Sequence, residues 1–124
     1  MIEALAVALG GALGSLGRWQ LGVLFKQWIP NMPVGTFAAN VVAGLIIGFV
    51  TGLDLASPLQ PQVKLFLAVG LCGGLSTFST FSNETLTFIQ AGNWTAAGVN
   101  IAVNVITCLV AVFIGLKLSN IVTV

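Results

Sequence analysis

The sequence predicts an all-α integral membrane protein with four transmembrane helices, the third of them broken. Three observations carry that expectation. Apolar residues make up 57% of the 124 and charged residues only 6%, whereas a soluble domain carries about 25% charge. The stretches KQWIPNMP, DLASPLQPQ and QAGN divide the chain into four apolar segments, each able to supply the roughly 20 residues that a span needs. The third segment is interrupted by GLCGGLSTFSTFSNETLTF, Gly70 to Phe88, in which glycines and hydroxyls break an apolar helical pattern.

Span 1 covers residues 2–25. It is not a signal peptide, because it lacks a basic start, runs too long and is followed at once by more membrane. Span 2 covers 34–53, span 3 covers 63–90 and span 4 covers 94–119, so that 1–124 forms a single transmembrane domain with short loops. Function must then lie within the bilayer. Cys72 and Cys108 stand alone in apolar segments, and the chain has no histidine; packing is the reading, not a disulfide or a metal-ligand cluster.

Charge gives no preferred orientation. With an even number of spans, Lys64 and Lys117 flank one side, and Arg18 and Lys26 flank the other. That balance leaves the positive-inside rule without a winner. A chain without preference can insert both ways and pair with an inverted copy of itself about an axis in the membrane plane. Glycines at four-residue spacing (Gly10 and Gly14; Gly44, Gly48 and Gly52; Gly70 and Gly74) form stripes that let helices approach closely. Such stripes serve contacts between subunits or within one.

Polar residues at membrane depth are costly and face protein or water, so each is a candidate site. Arg18 lies late in span 1, Thr36 and Asn40 one turn apart in span 2, and Glu84 beyond the Ser/Thr run of span 3. Asn100, Asn104, Thr107 and Cys108 share a face of span 4. Arg18 either snorkels to the interface or lines a vestibule that attracts anions. Asn40, and likewise Asn100 and Asn104, serve either as interhelical glue or as a site.

Gly73-Gly74 and the Ser/Thr run weaken the third helix, and an unwound turn survives in hydrocarbon only where its freed backbone meets protein, water or an ion. The break therefore implies a buried binding site. Its carbonyls suit a cation, and the N-terminus of the restarting helix suits an anion. Phe78 and Phe81, three apart, would share a face of that helix, either as packing or with their positive ring edges toward an anion. Neutral donors (Asn40, Ser79, Thr80, Ser82) with one arginine and few carboxylates favour an anion path, since conduction requires that the ion also leave.

Three motifs carry a family resemblance: GGALGSLGRW (Gly10–Trp19), GTFAANVVAGLIIGF (Gly35–Phe49) and GLCGGLSTFSTFSNE (Gly70–Glu84). Together they resemble the Fluc (CrcB) fluoride channels over essentially the whole chain. The resemblance implies an antiparallel dual-topology homodimer in the bacterial inner or plasma membrane, embedded in lipid, with two pores that passively export fluoride. By motif position it implies that Asn40, Phe78 and Phe81 contact fluoride, with Ser79, Thr80, Ser82 and Asn104 also among the pore residues. Arg18 and Thr36 resemble the vestibule pair, and Glu84 an acidic residue at the pore end. It further implies a structural Na+ at the dimer centre, held by main-chain carbonyls of Gly73 and Ser76 from both subunits. The family's hydroxyl track along span 4 falls here on Asn104, Cys108 and Val112, which donate well, weakly and not at all.

Two other classes fit less well. A small dual-topology multidrug exporter needs a membrane-embedded carboxylate in span 1, and Glu3 is too near the terminus. A non-transporting assembly subunit leaves unexplained why the polar residues coincide with a helix break.

Overall fold

The structure, a computed structural model, describes residues 1–124 and is helical throughout, without strands. Helix α1 is Ile2–Trp28 and α2 is Val34–Ala56. Helix α3 covers residues 61–75: a first turn Pro61–Lys64, a π-helical stretch Leu65–Cys72 and a last turn Gly73–Leu75. After a two-residue interruption follow α4, Phe78–Gln90, and α5, Trp94–Thr123.

Prolines set several of these boundaries. Pro30 and Pro33 separate α1 from α2, as expected of a residue that cannot donate to a helix ladder. Pro61 opens α3 at a position where its missing N–H costs nothing. Gly92, with φ +76°, supplies the left-handed turn between α4 and α5. The Asn93 side chain then caps α5 by accepting from the Ala96 N–H at 3.1 Å.

Three helical stretches are long and apolar enough to cross a membrane: Val34–Ala56, Pro61–Gln90 taken through its break, and Trp94–Thr123. Helix α1, at 27 residues, has the length. It is less apolar because it holds Glu3, Arg18 and Lys26. The helices also run beyond the spans expected from sequence, by about a turn at the C-terminal ends of α1, α2 and α5.

Small residues decide how the helices pair. A Cβ at Gly10 would strike the Phe66 carbonyl, one at Gly14 the Leu71 carbonyl, and one at Gly70 would lie 2.9 Å from the Gly10 Cα. These glycines lock α1 against the π-helical part of α3. In the second pair, α2 on α5, a Cβ at Gly48 would strike the Val112 carbonyl, one at Gly52 the Ser119 hydroxyl, and one at Gly115 the Leu45 carbonyl. Close backbone approach maximises dispersion contact where lipid offers no hydrophobic drive. Every stripe read from sequence is thus spent, at least in part, on contacts within the subunit.

The loop after α2 is held by one carboxylate. Asp54 accepts the Leu59 N–H at 3.0 Å through Oδ1 and pairs with Lys64 through Oδ2.

Candidate functional site

The interruption of the third span falls at Ser76 and Thr77, both extended (φ −77°, ψ 152° and φ −149°, ψ 115°). Of the segment that sequence marks as weak, Gly73 and Gly74 remain helical and the opening falls at the start of the Ser/Thr run. The reason is the supply of partners. Glycine weakens a helix, but a helix opens where other groups take over its hydrogen bonds.

Those partners are specific. The Thr77 N–H, which in a continuing helix would bond the Gly73 carbonyl, donates instead to Asn40 Oδ1 at 2.8 Å. Arg18 Nε donates to the Gly74 carbonyl at 3.1 Å, so Arg18 is tied into the break and does not simply snorkel. The Cys72 carbonyl accepts both the Ser76 N–H at 2.9 Å and the Ser76 hydroxyl at 2.8 Å. On the far side Thr77 Oγ1 caps α4 by accepting the Thr80 N–H at 3.2 Å. The Thr80 and Ser79 hydroxyls lie 3.1 and 3.3 Å from that same oxygen.

Two hollows meet at this turn. The first, about 470 Å3, is lined by Asn40, Gly73, Ser76, Phe78, Phe81 and Asn104 among others. The second, about 370 Å3, is lined by Arg18, Lys26, Thr36, Thr80 and Glu84. Thr77 borders both. Two cations against one carboxylate leave the second hollow with net positive potential, which favours anions. Within it the Thr36 hydroxyl donates to Glu84 Oε1 at 2.6 Å, while Glu84 Oε2 is buried without a partner.

Phe78 and Phe81 are neighbours, with ring centroids 5.6 Å apart and planes at 49°, but their surroundings differ. Phe81 is 9% exposed, and Phe78, on the open side of the first hollow, is 79% exposed. Ser79 and Ser82 are exposed and line neither hollow. In α5, Asn104 and Cys108 line the first hollow. Val112 does not; it faces Gly44 and Gly48 in the α2 contact.

Asn100 and Asn104 are both buried and bonded to each other, Asn104 Nδ2 reaching Asn100 Oδ1 at 3.0 Å. Asn40 Nδ2 lies 3.5 Å from Asn104 Oδ1, so the amides of α2 and α5 join at the hollow. Two contributors escaped the sequence reading. Thr77 carried a usable signal, a threonine directly before a helical run with Thr80 three residues on. Thr85, which accepts from Asn100 Nδ2 at 3.0 Å, carried none.

Residues 5–116 match the CrcB-like protein family, described as Camphor Resistance (CrcB). The chain belongs to the CrcB-like family. Among its CrcB-like relatives is the fluoride-specific ion channel FluC of Paraburkholderia phymatum, 46% identical over 125 aligned positions covering 98% of each chain. FluC of Escherichia coli O1:K1 / APEC is 46% identical over 117, covering 93% of each. FluC of Shewanella sediminis is 41% identical over 119, covering 95% of this chain and 96% of its own. Membership and the three apolar helical stretches together make this CrcB-like chain a multi-pass bacterial membrane protein.

Proposed function

We propose that the protein is a passive, fluoride-selective anion channel that lets cytoplasmic fluoride out of the cell. Its relatives' names support the ion. The observation that carries the path is Thr77, whose unwound turn borders both a cationic hollow and an amide- and phenyl-lined one. An anion drawn in by Arg18 and Lys26 would pass the hydroxyls of Thr77 and Thr80 and reach the Asn40 amide and the edges of Phe78 and Phe81. Neutral donors and ring edges replace part of its hydration without a tight ion pair that would trap it. Thr36 and Glu84 stand at the vestibule end of this route. Nothing on it performs covalent chemistry, and the protein is not an enzyme.

The working unit is an antiparallel homodimer of inverted copies with two pores. The exposure of Phe78 supports it, because a pore contact left on an open face calls for a second wall. So does Gly73, where an added Cβ would meet nothing within the subunit. The same region fits a structural Na+. The Gly73 carbonyl has lost its helical donor to Asn40, and an open carbonyl at membrane depth needs a partner. Gly73 and Ser76 main-chain oxygens from both subunits would hold the ion, which supplies positive charge where these dipoles converge.

Reconstitution tests the whole reading: liposomes loaded with fluoride or chloride should release fluoride far faster when the protein is present. Equal release of both ions would remove the assignment of selectivity, and no release of either would remove the channel.

A further inference from the structure

A line of hydrogen bonds leaves α4 at Thr77 and returns to it at Phe81, crossing α2 and α5 on the way. It begins at the Thr77 N–H, which can only donate, to Asn40 Oδ1 at 2.8 Å. Asn40 Nδ2 then faces Asn104 Oδ1 at 3.5 Å, and Asn104 Nδ2 donates to Asn100 Oδ1 at 3.0 Å. Asn100 Nδ2 donates to Thr85 Oγ1 at 3.0 Å, and the Thr85 hydroxyl donates to the Phe81 carbonyl at 2.8 Å, a group that can only accept. Each amide offers one oxygen and one nitrogen, so two fixed backbone ends give every member of the line the same sense.

Counting hydrogens separates the three asparagines. An amide nitrogen carries two. Asn104 spends both on Asn100, one on its Oδ1 and one on its main-chain carbonyl at 2.9 Å, and keeps no donor for an ion. Asn40 spends one, on the longest bond of the line, and lines the first hollow. Asn100 and Thr85, 9% and 7% exposed, line neither hollow of the proposed path.

We infer that Asn100 and Thr85 are positioning residues which, through Asn104, hold the Asn40 amide with one N–H free for the permeating anion. The inference rests on the channel reading and deepens it: Asn104, grouped with the pore residues from sequence, becomes the clamp of a donor and not a donor itself. The Thr77 N–H holds the Asn40 oxygen and the line supplies the only acceptor on the nitrogen side, so without Asn100 and Thr85 the amide is anchored at one end alone and its free hydrogen is held less closely.

The test uses the reconstituted full chain, with fluoride and chloride efflux measured on Thr85→Val, Thr85→Ser, Asn100→Leu and Asn40→Ala. Valine keeps the shape of threonine and removes the acceptor of Asn100; serine restores it. Thr85→Val and Asn100→Leu are expected to slow fluoride efflux about tenfold, the scale of one net hydrogen bond, and to raise the chloride-to-fluoride ratio, with the oligomer unchanged by size exclusion. Thr85→Ser should return both readings to the parent values. Unchanged flux and ratio in Thr85→Val and Asn100→Leu, alongside a damaged Asn40→Ala, would overturn the positioning role and leave the channel standing. Equal losses in Thr85→Val and Thr85→Ser would overturn it in favour of packing. An Asn40→Ala protein with parental flux would remove the Asn40 donor and the inference with it.

Discussion

Asn40 Oδ1 receives the Thr77 N–H at 2.8 Å, and so a side chain of α2 occupies the place that the Gly73 carbonyl would fill in an unbroken helix. One bond therefore does three things. It ends α3, it ties the start of α4 to α2, and it releases a carbonyl at membrane depth. The two substitutions that separate these effects are Asn40→Ala and Asn40→Asp. Alanine removes the acceptor, so the Thr77 N–H can return to Gly73 and close the helix; fluoride efflux should be lost together with the break. Aspartate keeps an acceptor for Thr77 but removes the amide donors and adds a negative charge beside the path. Its efflux should fall by at least tenfold, the effect of one lost charge-assisted hydrogen bond of about 1.5–3 kcal/mol, with helix content and assembly retained. Parental efflux in Asn40→Asp would show that the amide nitrogen is not used.

The phenylalanines differ in burial, which makes their variants informative in different ways. Phe78 is 79% exposed in the subunit, so Phe78→Ile should leave folding intact and impair fluoride efflux by removing a positive ring edge. Phe81 is 9% exposed, and Phe81→Ile should impair efflux and also lower thermal stability, since the shape of a closed site changes. Efflux rates and melting in detergent check both. Parental flux in both variants would return the rings to packing.

The sequence made the helices legible because membrane helices carry their signal in composition: long apolar runs between Pro-bearing loops. It also showed that the third helix breaks, from the density of glycines and hydroxyls after Gly70. It bounded the opening to Gly73-Gly74 and the Ser/Thr run, and contacts placed it at Ser76 and Thr77 within that run, because local propensity marks where a helix is weak, whereas the break sits where Asn40, Arg18 and Thr77 supply substitute bonds. Asn40, Arg18, Thr36, Phe78 and Phe81 were recognisable as candidates because polar or paired aromatic residues stand out in a span. The division into two hollows and the role of Thr85 depend on contacts between α2, α4 and α5 that no spacing along one helix encodes, whereas the capping role of Thr77 was signalled by Thr80 three residues on. The glycine stripes show the same limit: their existence was readable, and their partners were not.

Those stripes yield a contrast in tolerance. A Cβ at Gly48 would run into the Val112 carbonyl, a backbone atom that cannot step aside, whereas one at Gly98 would meet nothing within 4 Å. Gly48→Val should force α2 off α5 and reduce folded protein severely. Gly98→Ala, in the second turn of α5, should be neutral or stabilise by about 0.4–1 kcal/mol through the unfolded chain. Yield of folded protein and thermal melting check the pair. Comparable yields for both would contradict the packing described for α2 and α5.

The proposed dual insertion rests on the balance of Lys64 and Lys117 against Arg18 and Lys26, and so it should be easily upset. Ser57→Lys with Gln60→Lys adds two cations to the exposed loop after α2, outside the Asp54–Lys64 pair. Orientation tracks such counts in short loops, so the variant should favour one orientation and lose functional dimers. Terminal tags probed for accessibility on both membrane faces give the measurement. Tags of the unmodified chain confined to one face would rule out the inverted pair.

The proposed central Na+ makes demands that a coupled ion would not. If the Gly73 and Ser76 carbonyls of two inverted subunits converge, their partial negative charges repel across a low-dielectric gap unless a cation lies between them. Oxygen ligands without carboxylates favour a monovalent ion over Ca2+ or Mg2+, which usually recruit them. Because main-chain atoms would bind it, Ser76→Ala should keep the ion and lose only the hydroxyl bond to the Cys72 carbonyl, 2.8 Å long. Gly73→Val has a more specific outcome than simple misfolding. An added Cβ there meets nothing in the subunit, so the monomer should fold, while the branched side chain crowds the facing copy and the dimer and its flux are lost. Size exclusion with light scattering separates these cases; a dimeric, active Gly73→Val protein would move the axis elsewhere. A structural ion also does no work in transport. An imposed Na+ gradient should therefore leave fluoride at its passive distribution, and Na+-driven accumulation of fluoride in sealed liposomes at zero membrane potential would replace the channel with a coupled transporter.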